Sequence, residues 1–224
     1  MTTKVTHPDH VARPGHHDDY HHDDYHHDDY HHGDLAAACV EAGIQLVEEG
    51  GPDALTIRGV ARVAGVSHTA PLHHFPDRAA LVAAVAERGF DLLLERLEAE
   101  TGPDAGPVER LRAYCVAYVL HAAEHPGLFS LMFGPSPHPP GYGAYLLLIE
   151  LCGEAQAADE LPGADPYRLA LLLWSTVHGL AGLFVAGNIA AGNIGGQPSD
   201  VRLAATRTID DLIGALTTSQ GALS

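Results

Sequence analysis

The chain has 224 residues, 46% of them hydrophobic, and a formal net charge of −17 at pH 7. That length permits one large core, or a small domain beside a larger one, and that acidity argues against a protein that grips nucleic acid by bulk charge alone. Three cysteines with no paired spacing exclude a disulfide framework and a structural zinc site, and read as small buried apolar residues.

Residues 1–15 form a polar, proline-containing arm holding the single lysine, Lys4, and a polar start reads as no secretion signal. A perfect pentad, His-His-Asp-Asp-Tyr, then runs three times through residues 16–30 and is followed by His31, His32, Gly33 and Asp34. The repeat copies the block that opens the next helix, which points to duplication by slippage. With so little apolar surface, residues 1–32 are expected to be a disordered arm. Eight imidazoles (His16, His17, His21, His22, His26, His27, His31 and His32) alternate there with aspartates. This donor set suits Zn²⁺, Ni²⁺ or Co²⁺, although nothing in the chain requires a cofactor. Metal binding, or protonation of the histidines, would offset the aspartate charge.

A first helix is expected over about Asp34–Glu49, capped by Asp34 and stopped by Gly50 and Gly51. The stretch Thr56–Phe75 reads as two short helices joined by a tight turn. Ile57, Val60, Ala61 and Ala64 recur at helical spacing. Gly65 can take the left-handed stop, and Ser67 would cap the second helix. Helix, short turn, helix is the arrangement that sets its second helix in the DNA major groove.

The run Gly33-Asp34-Leu35, then Leu55-Thr56-Ile57-Arg58-Gly59-Val60-Ala61, Gly65-Val66-Ser67 and His74-Phe75-Pro76-Asp77-Arg78 resembles the N-terminal domain of TetR-type transcriptional regulators. His125-Pro126-Gly127-Leu128-Phe129 and Trp174-Ser175-Thr176-Val177-His178-Gly179 resemble the marks of one C-terminal subgroup, named for its Trp, His and Gly. The resemblance spans about Tyr30–Leu216. One departure stands out: Leu72 occupies the end of the recognition helix, where most relatives carry a tyrosine that contacts phosphate.

Beyond Pro76-Asp77 a long helix is expected from Arg78 to about Ala99, its apolar side formed by Leu81, Val85, Phe90, Leu93, Leu94 and Leu97. Helices follow over about Pro107–Glu124, Tyr142–Ala158, Pro166–Ala186 and Ser199–Thr217, with an apolar turn at Leu128–Phe133 and a loop at Gly134–Gly141. No period-two alternation occurs, so the fold is predicted to be all-α. The expected division is an arm (1–32), a three-helix helix-turn-helix DNA-binding domain (33–80), a helical effector-binding and dimerisation domain (81–217) and a tail (218–224). Leu169–Ile189 is nearly free of charge, but its His178, Ser175, Thr176 and glycines favour a buried helix over a membrane span.

Within the recognition segment Val66, Ala70 and Leu72 are expected to face inward. His68, Thr69 and His73 would then reach base edges, which their imidazole, hydroxyl and methyl groups can read. Ser67 as cap, Thr56 at the preceding helix start, His74 and Arg78 complete the expected DNA-binding set, their role being phosphate contact. For His74, packing beside Phe75 is an equal alternative. Phe129, Met132, Phe133, Tyr145, Trp174, His178 and Phe184 could line an effector pocket or simply form core. His121-Ala122-Ala123-Glu124-His125 matches the H-x-x-E-H pattern of inverted zinc proteases, but Pro126 follows directly and no third ligand is near. It reads as a helix C-terminus, which favours histidine. No nucleophile elbow or phosphate loop occurs, so no enzyme activity is expected.

The resemblance implies a cytoplasmic homodimer, with no membrane partner, that holds double-stranded operator DNA and releases it on binding a small molecule. Two other readings remain: a metal-responsive regulator sensing through the repeat, and a histidine-rich metal store.

Overall fold

The computed structural model describes residues 28–135, 142–163, 165–189 and 200–218. Within them the chain is helical throughout: α1 (Asp28–Gly50), α2 (Ile57–Val63), α3 (Arg78–Glu100), α4 (Pro107–Glu124), α5 (Pro126–Met132), α6 (Gly143–Ala157), α7 (Pro166–Val185) and α8 (Val201–Thr218). Short 3₁₀ turns occupy Pro52–Ala54 and Ala70–His73. Helix starts follow local chemistry. Asp77 and Asp165 accept the N–H groups of Ala80 and Tyr167, and Pro107, Pro126 and Pro166 each sit in a first turn, where a missing donor costs nothing. The first helix differs from expectation at its start. Its backbone is helical from Asp28, so Asp34 lies inside the helix and does not cap it.

Two groups of helices share α3. In the head, α1 packs on α2 and on α3, enclosing Leu46, Val47, Leu55, Val60, Leu81 and Val85. In the body, α4 packs against α3, α6, α7 and α8. Every residue of α4 from Tyr114 to Ala122 is buried. A stretch surrounded in this way has no polar face to keep, which is why residues Tyr114–Leu120 are apolar or aromatic on every side. The cysteines Cys39, Cys115 and Cys152 are all free and buried, as expected of small apolar residues.

Helix α7 is long and apolar enough to cross a membrane, with a mean hydropathy of 1.5. One face of it, with Leu169, Leu173, Val177 and Ala181, is nevertheless buried against α4 and α6, while Leu171, Leu172 and Leu183 on the other face are exposed.

Head and body also meet at α1 and α5. The Glu48 carboxylate accepts the N–H groups of Gly127 and Leu128, each at 3.2 Å, and so caps the start of α5. Gly127 permits the approach. A Cβ there would lie 2.2 Å from the Val47 carbonyl oxygen, inside the backbone of α1. His125 stands 3.6 Å from the same carboxylate.

Candidate nucleic-acid interface and ligand cavity

Helix α2 begins as its sequence demands. Thr56 Oγ1 accepts the Gly59 N–H at 3.0 Å, and Val60 and Ala61 are buried. The helix ends at Gly65, whose φ of +71° is the left-handed turn expected there. The next segment departs from expectation. It is a 3₁₀ turn over Ala70–His73, and Ser67 does not cap it; Thr69 precedes it without a side-chain cap. The cause is Pro71. In an α-helix the Ser67 carbonyl would take its bond from residue 71, which has no N–H. It accepts instead from Ala70 N at 3.1 Å, and Leu72 N likewise reaches back three residues to Thr69. Phe75 precedes Pro76, which closes the segment to further helix.

The same geometry reverses one orientation. Pro71 is buried, and Leu72 is 45% exposed where an inward side chain was expected. Val66 and Ala70 are half-buried. His68, Thr69 and His73 are exposed, as a base-reading role requires. The Ser67 and Thr69 hydroxyls lie 3.4 Å apart. His74 is half-buried with its ring 6.3 Å from that of Phe75. Arg78 is committed inside the head. Its Nε donates to the Leu55 carbonyl at 2.8 Å and Nη2 to the Pro52 carbonyl at 2.9 Å, which fastens the 3₁₀ turn at Pro52–Ala54 to the start of α3.

Two head cations were left out of the expected set. Arg58 and Arg62 are exposed one turn apart on α2, and neither forms an ion pair among the described residues. Arg88, Arg96, Arg110 and Arg112, in contrast, all pair with carboxylates. The i, i+4 spacing of Arg58 and Arg62 was visible in the sequence; their lack of partners was not.

In the body a cavity of about 220 Å³ opens beside α4, its wall drawn from α3, α4, α6 and α7. Phe133, Tyr145 and Trp174 line it, as expected. Phe90, Leu93, Tyr114, Tyr118, Tyr142 and Ala144 line it too, and sequence reasoning had not placed them. Phe129, Met132, His178 and Phe184 are not in the wall. Phe129 and Met132 are buried behind it, with the Phe129 ring 5.9 Å from Tyr118.

His178 supports the wall from outside. Its Nδ1 lies 2.9 Å from the Tyr118 hydroxyl, while Trp174 Nε1 donates to that hydroxyl at 3.4 Å. Burial lowers the His178 pKa. The Tyr114 hydroxyl donates to the Ala144 carbonyl at 2.8 Å. Burial raises the pKa of both phenols, so neither ionises near neutral pH.

At the far end of α4 the H-x-x-E-H residues show no catalytic arrangement. Glu124 is paired with Arg96. His121 is 2% exposed, and its Nε2 has no hydrogen-bond partner. Burial above all, then His125 and Arg96, lowers its pKa to about 4. His125 caps the helix end, as expected of a C-terminus. Among the described residues no three His, Cys, Asp or Glu side chains gather as a metal site. Of the repeat histidines, His16, His17, His21, His22, His26 and His27 lie outside the described residues, and His31 and His32 fall where the α1 backbone alone is described.

A left-handed glycine turn presenting three exposed polar side chains, on an all-helical body with an internal aromatic cavity, defines a helix-turn-helix regulator. Residues 40–85 match the family model for bacterial regulatory proteins of the tetR family, and residues 111–212 match the tetracyclin repressor-like C-terminal domain. The chain belongs to the TetR family of bacterial regulatory proteins.

No curated protein matches the chain. Among solved structures it is similar to a protein of unknown function from Rhodococcus sp. RHA1, with 34% identity and a TM-score of 0.71, covering 84% of this chain and 98% of that one. It shares its fold with the regulator FadR from Bacillus subtilis, solved with stearoyl-CoA (14% identity, TM-score 0.63, 79% of this chain and 96% of that one). The same holds for AibR, solved with isovaleryl coenzyme A and operator DNA (18% identity, TM-score 0.57, 82% and 98%).

Proposed function

We propose that this regulator reads its operator with His68, Thr69 and His73, anchors on phosphate through Thr56 and the unpaired guanidiniums of Arg58 and Arg62, and lets go when a small molecule fills the cavity beside α4. The observation that carries the reading is the path of α3. At one end Arg78 grips the head through two backbone carbonyls; further along, Phe90 and Leu93 stand in the cavity wall. One rigid helix therefore touches both sites, so a ligand that shifts the wall acts on the head by its differential affinity for two placements of α3. AibR, solved with both an acyl-coenzyme A and operator DNA, supports this pairing of sites.

The protein acts in the cytoplasm as a homodimer. The exposed leucines Leu171, Leu172 and Leu183 on α7 and Leu203 on α8 supply the apolar surface for a four-helix interface, which sets two recognition turns about one turn of DNA apart. Control by metal through the repeat receives no further ligand from the described residues.

The test is binding of the purified protein to duplex DNA from around its own gene at fixed salt, first in chelator and then with Zn²⁺ or Ni²⁺. Tight binding in chelator, indifferent to metal and far above that to random DNA, is the expected result. Binding no better than to random DNA sinks the reading, and binding that appears only with metal transfers control to the repeat.

A further inference from the structure

The cavity wall restricts the chemistry of what can occupy it, and the argument rests on the reading above that an effector sits there. An engineered apolar cavity of about 150 Å³ holds benzene; by proportion, the 220 Å³ here hold about nine non-hydrogen atoms. Seven of the nine lining residues are aromatic and none is charged. Nothing in the wall meets a phosphate, and nothing neutralises an ammonium. Face and edge contacts from Phe90, Phe133 and Trp174 favour a flat guest.

The two fully buried phenols of the wall, Tyr114 and Tyr118, share one polarity, whereas Tyr142 stands 65% exposed at its rim. The Tyr114 proton is spent on the Ala144 carbonyl, which can only accept. The Tyr118 oxygen receives the Trp174 N–H, and with the imidazole proton on Nε2 its own proton goes to His178 Nδ1, 2.9 Å away. Both phenol oxygens are left as acceptors with lone pairs to spare and no proton to offer.

We infer that the effector is an uncharged, flat molecule of about nine non-hydrogen atoms that donates one hydrogen bond to the oxygens of Tyr114 and Tyr118. A small phenol has this chemistry; an acyl-coenzyme A does not.

Trp174 is the only tryptophan in the chain and stands in the wall, so its emission reports occupancy directly. The experiment titrates the full-length protein with 4-ethylphenol, with its equal-sized hydrocarbon 4-ethyltoluene, with trimethylphenylammonium and with isovaleryl-coenzyme A. The expected result is saturation by 4-ethylphenol at a concentration about tenfold below that of 4-ethyltoluene, the effect of one buried hydrogen bond. In a Tyr114→Phe/Tyr118→Phe double variant the preference falls to about onefold. The four-ligand comparison on the unaltered protein stands alone should the variant not fold. Equal affinity for phenol and hydrocarbon overturns the hydrogen-bonding inference and leaves the cavity as the effector site, as does preference for the ammonium or the thioester. Silence of Trp174 toward all four overturns both.

Discussion

The recognition turn and the cavity are built in opposite ways. The turn places its working side chains in water: His68, Thr69 and His73 are exposed, and the backbone holds them through the left-handed Gly65 and the missing donor of Pro71. The cavity hides its working groups, and each buried hydroxyl is satisfied by a partner drawn from elsewhere in the fold. One surface is specified by a few consecutive residues and the other by four helices at once. Substitutions should therefore separate them, with stability lost in the body and affinity lost in the head.

A matched pair of leucines gives the strongest contrast. Leu128 in α5 is fully buried, and Leu128→Ala is expected to lower unfolding free energy by about 2–5 kcal/mol. Urea denaturation reads this directly. A loss below about 1 kcal/mol would mean that the body repacks freely, and the contrast would fail.

Acid provides the next largest effect. His121 has its folded pKa lowered to about 4 from an ordinary 6.5, so between those values the unfolded chain binds the extra proton. Stability is then full above about pH 6.5 and falls as pH drops toward 4, by up to roughly 3 kcal/mol. Denaturation midpoints measured across that window should slope downward toward acid, and His121→Gln should flatten the slope. A slope unchanged by the substitution would assign acid sensitivity to other groups.

The smallest expected stability effect belongs to the head. Leu72→Ala removes a side chain that is 45% exposed, and should leave the urea midpoint within about 0.5 kcal/mol of the unaltered protein. Operator affinity measured on the same sample sharpens the comparison, since a change there without a change in stability assigns Leu72 to the interface. Leu72→Tyr would show whether a hydroxyl at this position adds a phosphate contact.

The two regions also differed in how legible they were. The head followed from local rules: the apolar spacing of Ile57, Val60 and Ala61, the stop at Gly65 and the cap at Thr56 all act within a few residues. Local reasoning failed in the head where one atom intervened, because the lack of an N–H on Pro71 turns an expected α-helix into a 3₁₀ turn and rolls Leu72 outward. In the body, helix positions were readable from proline, glycine and apolar period. The cavity was not. Tyr114 and Tyr118 stand in a run where every α4 residue is apolar or aromatic and buried, so no period marks the two that face empty space. Phe129 and Phe133 were indistinguishable in sequence, and only the packing of α5 sends one behind the wall and the other into it. The hydrogen bonds of Arg78 were hidden for a similar reason, since its partners are carbonyls 23 and 26 residues earlier in the chain.

The approach of Gly127 to the Val47 carbonyl has a mechanical consequence. Where side chains separate two helices, a displacement of one can be absorbed by a rotamer change in the other. Here main chain faces main chain, with no torsion in between to take up the motion. Any movement of α5 must be followed by α1 or must part the two helices, so the joint behaves as a coupling without slack. Linkage makes such a coupling run both ways. Whatever operator DNA does to hold α1 in place is returned to α5, and the affinity of the cavity for its ligand falls by the same factor by which the ligand weakens the grip on DNA.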